Sequence, residues 1–383
     1  MASGYWEREH LLRSADITIV GAGLVGMSTA LALRRLQPEA HIRIVERHPL
    51  TDGGSSRNAG FACFGSAGEW LDDLDTLGPA ALQSLVRTRA EGLRDLIGLL
   101  GENALGLEWS GGWELFSKEE EAAARRATAA LDKLNPLLTA ELQSALGPIH
   151  PNAEGTLALA EDPVRASKLG AHCALHLPWE GMLHTGKMVT AFHAALNAAR
   201  IQRLHGVTVQ GWNPQDHGWQ LDTSLGPLHT RQLAICTNGF AADLLPDLDV
   251  HPVPNRVLVL RGGRRIPKGT YHLERGYLYM RTLGPQDVLF GGGRHWGHAL
   301  PRAGCPDTES TWDAQLEHAA QTWLGPDAQV THRWTGWLGV GSTREPQVGQ
   351  SAPGLFHAVR MGGMGVAIGA GIGVRLADLI HGE

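Results

Sequence analysis

Three glycines and one glutamate are the first residues in this sequence whose types and spacing could do chemistry. Gly21, Gly23 and Gly26 stand at Gly-x-Gly-x-x-Gly spacing, and Glu46 follows twenty residues after the third. The first glycine allows a tight turn, and the second lets a pyrophosphate approach the backbone. The third lets a helix pack on a strand, while the carboxylate accepts ribose hydroxyls. The elements that must position them are legible in "DITIVGAGLVGMSTALALRRL". Residues 16–20 read as a short buried strand, and Met27, Ala30, Leu31, Leu33 and Leu36 form a helical face. Arg34 and Arg35 fall in its last turn, where they suit the helix dipole. A second strand, "HIRIVER", carries Glu46 and Arg47 at its end. This context predicts a dinucleotide site. Glu46 speaks against NADP, whose extra phosphate would meet a carboxylate, and leaves NAD and FAD open. A glycine-rich turn that binds nothing is the competing reading of the spacing alone.

The segment after the second strand separates these options. A nicotinamide enzyme would continue with further strand–helix units, whereas this chain continues with "TDGGSSRNAGFACFGS". Glycine, serine and alanine pack little core, but they offer backbone amides and hydroxyls and leave room for a flat ring system. Ser55, Ser56, Arg57, Asn58, Ala59 and Gly60 supply donors and a cation suited to a diphosphate.

On these residues the sequence resembles the D-amino-acid oxidase superfamily, which includes glycine oxidase, monomeric sarcosine oxidase and gamma-glutamylputrescine oxidase. In that family a Ser-x-Arg-Asn-x-Gly-like segment follows the ribose-binding Glu and lines the flavin. Three later stretches extend the likeness. "EGMLHTGKMVTAFHAALNAARIQRLHGVTVQGW" resembles the loop, helix and strand that return to the nucleotide domain, with Met188, Phe192 and Leu196 as a buried helix face and Val207 beyond it. "LAICTNGFAADLLPDL" resembles the strand and Thr237-Asn238-Gly239 turn placed beside the cofactor. "PGLFHAVRMGGMGVAIGAGIGVRLADLI" resembles the closing segment, whose Gly362, Gly363, Met364 and Gly365 would open a last helix at the isoalloxazine ring. The resemblance implies that its amino-terminal dipole favours the anionic reduced flavin. Family members often carry His where Met364 stands. A tightly packed Gly-rich helix is the plain structural reading of the same stretch.

The resemblance also implies an α/β fold: a Rossmann-like FAD-binding domain interleaved with an α+β antiparallel-sheet substrate domain. Residues 14–71, 181–240 and 334–383 are assigned to the former, and residues 72–180 and 241–333 to the latter. Leu82, Leu85, Val86, Leu93, Leu96, Ile97 and Leu100 predict an amphipathic helix, and "HPVPNRVLVLRGG", "RGYLYMRTL" and "DVLFGGGRHWGH" predict antiparallel strands. The implied activity is oxidation of the C–N bond of an amino acid or amine by hydride transfer to flavin N5, giving an imine that water hydrolyses. Tyr277, Tyr279 and Arg281 alternate along one strand and so face one side, and they resemble the family's substrate-binding strand. Tyr279 and Arg281 are the expected substrate-gripping pair. Glycine oxidase-like members place a carboxylate-binding Arg a few residues after a Trp-x-Gly. Here "WTGWLGVGSTREPQVG" has Leu338 near that position and Arg344 further on. Arg281, Arg294 or Arg360 could take over, or the substrate could lack a carboxylate. Trp334 and Trp337 are the tryptophans assigned to the substrate side.

No Cys occurs in residues 334–383, where a sarcosine oxidase-like covalent link would fall, so FAD is expected to be non-covalent. Cys63 reads as a buried inert thiol. The competing functions are a non-catalytic flavoprotein subunit or scaffold, and an NAD-dependent dehydrogenase. A flavin hydroxylase is disfavoured because no ribitol-binding Gly-Asp motif is found.

The bulk numbers bound these readings. The chain has 383 residues, 43% hydrophobic and 19% charged, and 49 glycines, nearly double the usual share of about 7%. Its net charge of −6 and lack of basic runs argue against nucleic acid. Cys63, Cys173, Cys236 and Cys305 form no Cys-x-x-Cys, and of the nineteen histidines just His172 and His176 stand at His-x-x-x-His spacing, with no further ligand pattern beside them, so no metal is expected. The longest late apolar run, "MGGMGVAIGAGIGV", is too short to span a bilayer. A cytoplasmic protein with reduced thiols is expected, taking a small amine or amino acid and passing electrons to oxygen or a soluble acceptor. Its oligomeric state is left open.

Overall fold

The computed structural model describes residues 4–297 and 311–383, so Cys305 and the end of the "DVLFGGGRHWGH" run lie outside it. Two eight-stranded sheets organise these residues. The first begins with Ala15–Val20, whose alternate residues Ile17 and Ile19 are fully buried. This strand pairs in parallel with Ile42–Glu46 on one side and Leu228–Ile235 on the other. Gln202–His205 extends the sheet beyond Ile42–Glu46, and Leu355–Val359 extends it beyond Leu228–Ile235, both in parallel. Parallel strands need crossovers, and the helix Leu24–Leu36 makes the first. Ten of its residues are buried, from Leu24 to Leu33, and Arg34 and Arg35 close its last turn.

The last helix, Gly365–His381, packs against that first helix and against Pro79–Leu100. Its glycines make the close approach possible. A β-carbon on Gly373 would fall 2.6 Å from that of Ser28, and one on Gly369 would fall 2.4 Å from a Leu24 methyl. On the other side, Gly92 faces the Ala367 carbonyl, where a β-carbon would come within 2.3 Å. The Gly-rich helix is therefore tightly packed along its body, while its first turn faces a cavity. Met188, Phe192 and Leu196, on the helix Thr185–Ala198, are fully buried.

The second sheet runs Gln329–Val340, His251–Arg261, Asp287–Gly292, Leu278–Thr282, Thr270–Leu273, Gly112–Phe116, Cys173–Leu177 and Ala160–Glu161. The three strands expected from residues 251–297 are antiparallel neighbours. The sheet is nonetheless mixed, because Thr270–Leu273 pairs in parallel with Gly112–Phe116. Gln329–Val340 pairs with His251–Arg261 along its whole length, so residues 334–340 lie in the second sheet rather than with the nucleotide half. A strand reaching across both halves crosses the expected boundary at 334 because its hydrogen bonds, not its motif, decide where it lies. Among the described residues no helix is long and apolar enough to cross a membrane.

Candidate functional site

A cavity of about 940 Å³ lies across the carboxyl ends of the first sheet's parallel strands, where ligands of open α/β sheets bind. Gly21 turns the chain out of the first strand at φ +107°, and a β-carbon there would fall 2.8 Å from the Cys236 carbonyl oxygen. Gly23 then caps the helix Leu24–Leu36 without a side chain, and the Leu24 N–H donates to the Ser55 hydroxyl at 2.7 Å. The helix amino end thus faces the cavity with its first-turn amides, a natural seat for phosphate. Glu46, 6% exposed, accepts the Ala22 N–H at 2.9 Å with one oxygen and the His48 N–H at 3.0 Å with the other. Both bonds hold the carboxylate at the cavity wall with lone pairs to spare. Arg47 lies over the Phe240 ring, 4.6 Å from its centroid, and lines the same cavity.

A second cavity of about 450 Å³ adjoins the first, and Arg57, Asn58, Trp337, Gly362 and Gly363 line both. The short helix Gly54–Arg57 and its neighbours form the seam. Asn58 pins this loop: its amide donates to the Gly54 and Ser55 carbonyls at 3.2 and 2.8 Å, and its oxygen accepts from the Gly60 N–H at 2.8 Å and the Thr185 hydroxyl at 2.9 Å. Arg57 pairs with Asp52 at 2.5 Å and reaches the Thr335 carbonyl at 3.0 Å. Across the seam, Met364 caps the last helix without a side-chain bond, so that helix also presents bare amides. Nothing lies within 4 Å of a β-carbon built on Gly362 or Gly363, which leaves open space at the junction.

A row across the second sheet underlies the second cavity, and its His272 and Tyr279 line it. Glu114, His272, Tyr279 and Gly291 are successive cross-strand partners. Because Gly291 has no side chain, the Tyr279 phenol lies across it and accepts the Asn255 amide N–H at 2.6 Å. Burial pushes the phenol up to about 12, so it stays protonated and can donate into the cavity. The Asn255 oxygen is buried with no partner among the described residues. Phe61 sits edge-on to both His272 and Tyr279, each at 5.5 Å between ring centroids.

Most of the expected cofactor residues converge on these cavities. Gly21, Gly23, Glu46, Arg47, Ser55, Arg57, Asn58, Val207, Thr237, Asn238, Gly239, Gly362, Gly363 and Gly365 line the first, and Ala59, Gly60 and Met364 the second. Two do not. Gly26 lies behind the turn, where a β-carbon would collide with the Gly21 carbonyl at 2.1 Å, so its part is helix–strand packing. Ser56 turns away and its hydroxyl donates to the Gly53 carbonyl at 3.4 Å. Arg281 shares the Tyr279 face but ends elsewhere: its guanidinium donates to the carbonyls of Ala59 at 3.0 Å and of Gly60 and Leu183 at 2.8 Å. It fastens the Asn58–Gly60 loop rather than gripping a ligand. Trp337 lines both cavities, whereas the Trp334 indole is spent on the Arg57 carbonyl at 2.9 Å. Asn255 and His272 went unnoticed in the sequence, because a lone polar residue in an apolar strand carries no spacing signal.

The chain matches the FAD dependent oxidoreductase (DAO) family over residues 16–379. It belongs to that family. Among curated proteins it is 24% identical to a probable oxidoreductase, OrdL, of Rhizobium meliloti (strain 1021), over 97% of this chain and 84% of that protein. Its fold is shared with glycine oxidase from Geobacillus kaustophilus, at 21% identity and a TM-score of 0.69, over 97% of this chain and 95% of that one. It is shared equally with iminodiacetate oxidase from Chelativorans sp. BNC1, at 20% identity and a TM-score of 0.68, over 96% and 95% of the two chains.

FAD is therefore the cofactor, and the residues present fit it. The Thr237 hydroxyl is buried in the first cavity's wall with no partner among the described residues, and the glycines at 362 and 363 leave open room at the seam. Glu46 would take the ribose hydroxyls, the Gly23–Leu24 helix end the diphosphate, and the Asn58–Gly60 loop with Gly362–Met364 the ring. Burial pushes the Cys63 thiol well above its ordinary range, with Glu180 adding to the effect, so it stays protonated at neutral pH.

Proposed function

We propose that this chain oxidises the C–N bond of a small amine, most favourably an amino acid, binding it in the second cavity with Tyr279, Asn255 and Arg294 as its polar contacts. The bound FAD would supply the hydride acceptor. The chain's own part is to hold the donor carbon at the seam, exclude water and order the substrate's polar ends. The observation that carries the reading is the second cavity itself. It opens at the same Gly362–Gly363 seam as the nucleotide cavity and presents a protonated phenol beside an unpartnered amide oxygen.

Arg294 is the carboxylate anchor in this reading. Of the three candidates, Arg281 is committed to carbonyls. Arg360 is committed to Asp249 at 2.6 Å and to the Glu345 carbonyl at 2.7 Å. Arg294 lines the second cavity over the Tyr277 ring, 4.8 Å from its centroid, and meets no carboxylate among the described residues. Kinship in fold to glycine oxidase and iminodiacetate oxidase supports an amino-acid substrate. FAD held without a covalent link also suits the second cavity, where the lining Cys63 is protonated.

The test is the visible spectrum of the purified holoprotein, followed anaerobically as amino acids, N-methyl amino acids and simple amines are added singly. Bleaching by amino acids, weakened in Arg294→Met, is the expected result. Bleaching only by amines without a carboxylate would remove Arg294 from the site. A yellow protein that no donor bleaches would favour a flavoprotein scaffold.

A further inference from the structure

His272 lies in the wall of the second cavity as the cross-strand neighbour of Tyr279. Its Nε2 is 2.8 Å from a Glu180 oxygen, and Glu180, 1% exposed, accepts the Phe64 N–H with its other oxygen at 3.3 Å. The carboxylate is thus fixed, and it fixes the ring. Nδ1 has no hydrogen-bond partner among the described residues and, since His272 lines the cavity, is the nitrogen left for a ligand.

We propose that His272, held by Glu180, is the base that takes a proton from the substrate's ammonium group, so that the site binds the cation and converts it to the neutral amine before oxidation. This rests on the amine-oxidising reading above. In the step one ammonium N–H bond breaks and one Nδ1–H bond forms. The electron pair remains on the substrate nitrogen, and no redox change accompanies it. Amines of ordinary basicity are almost wholly protonated near pH 7, and an ammonium has no lone pair with which to support loss of the adjacent hydride. A positioned base is worth about 10²-fold or more in such a step.

The surroundings make the ring a stronger base than a free imidazole. Glu180 faces the ring from the loop before Gly181, Glu114 from the neighbouring strand, Glu69 from the helix Ala67–Leu77, and Cys63 from the ring-lining segment. Arg89, the cation close to Cys63 and Glu69, is spent on Glu69 at 3.0 Å and on the Phe64 carbonyl at 2.7 Å. Burial works against the charged ring, but Glu180 and then Glu114 and Glu69 outweigh it and hold His272 above its ordinary value. Below that raised pKa the ring is already protonated and cannot accept, so reduction speeds up as pH rises through it.

The experiment is anaerobic stopped-flow reduction of the holoprotein across pH 5.5–10, with an amino-acid donor and with a fluorinated analogue whose amine is more acidic. In the wild type the His272 limb is expected at the same pH with both donors, because it belongs to the protein. A single limb that moves with the donor's own amine pKa would overturn the proposal without any variant. His272→Gln should lose the fixed limb and slow reduction about 10²-fold at neutral pH, recovering as pH approaches the donor's pKa. Glu180→Gln should lower the pH of that limb. An unchanged limb in a folded, FAD-loaded His272→Gln protein would overturn the proposal, as would stoichiometric bound metal on Cys63, Glu180 and His272, which would occupy the ring. A wild type that no donor reduces would instead overturn the amine-oxidising reading, and this proposal with it.

Discussion

The two cavities are built by opposite means. The first is made largely of main chain: glycine turns, two helix ends, and one carboxylate tied down by the Ala22 and His48 amides. The second is made of side chains that converge from the ring-lining loop, the helix Pro79–Leu100, four strands of the second sheet and the last helix. Backbone geometry tolerates few residue types and so leaves a motif. A wall of single side chains leaves none. The comparison also explains Arg281 and Arg294, two arginines close to the same Tyr279. One fastens the Asn58–Gly60 loop through three carbonyls, and the other lies exposed over the Tyr277 ring with no carboxylate partner among the described residues.

Breaking the first cavity should have the largest effect. Glu46→Ala removes the carboxylate proposed to take the ribose hydroxyls and orphans the two amides it holds. FAD affinity is expected to fall by about 10²-fold, two bonds to a charged acceptor at about 1.5 kcal/mol each, measured by flavin release on dilution. Next comes the seam. Asn58→Ala deletes four hydrogen bonds of the loop and should cost about 2 kcal/mol of stability, with FAD content reduced and secondary structure retained. Unchanged cofactor content in this variant would separate the loop from the flavin altogether.

The pair of arginines gives the sharpest contrast. Arg281→Met removes the guanidinium bonds to the Ala59, Gly60 and Leu183 carbonyls, of which Gly60 keeps the Leu183 N–H, and should lower the melting temperature and FAD retention. Arg294→Met should leave both alone and raise the KM for carboxylate-bearing donors about tenfold. Reversed behaviour of the two variants would reverse their assignments. Melting curves, flavin content and KM together decide it.

The smallest effect is a pH dependence. Glu114 is buried beneath the second cavity, accepting the Gly68 N–H at 2.9 Å and the Ser66 hydroxyl at 3.0 Å, and burial raises it to about 7. A carboxyl raised above its unfolded value stabilises the fold while protonated. That contribution is full below about 4.5 and is lost as pH rises through about 7, at most about 3 kcal/mol. Glu114→Gln should flatten the loss, raising the melting temperature at pH 8 relative to wild type while changing it little at pH 5.

Much of this was legible in the sequence. The strand–turn–helix around Gly21, the carboxylate at 46, the buried face of Met188, Phe192 and Leu196, and the helix from Leu82 all follow from periodicity and glycine spacing. Their physics is local, set within one or two turns of chain. Gly26 and Ser56 show the limit, since the same motif carries both packing and ligand positions and spacing cannot tell them apart. That residues 334–340 pair into the second sheet was hidden for a related reason, because the strand's partner, from His251 to Arg261, lies far away in the chain.

What the sequence by itself determined is thus the nucleotide half: the turn, the helix whose end opens on the first cavity and the acid on that cavity's wall. Only the tertiary structure decided which arginine lines the second cavity, that Gly291 lets Tyr279 reach Asn255, and that Glu180 stands behind His272. Those facts depend on which strands lie side by side. Residues far apart in the chain meet there only after both sheets have formed, and no local pattern records the meeting.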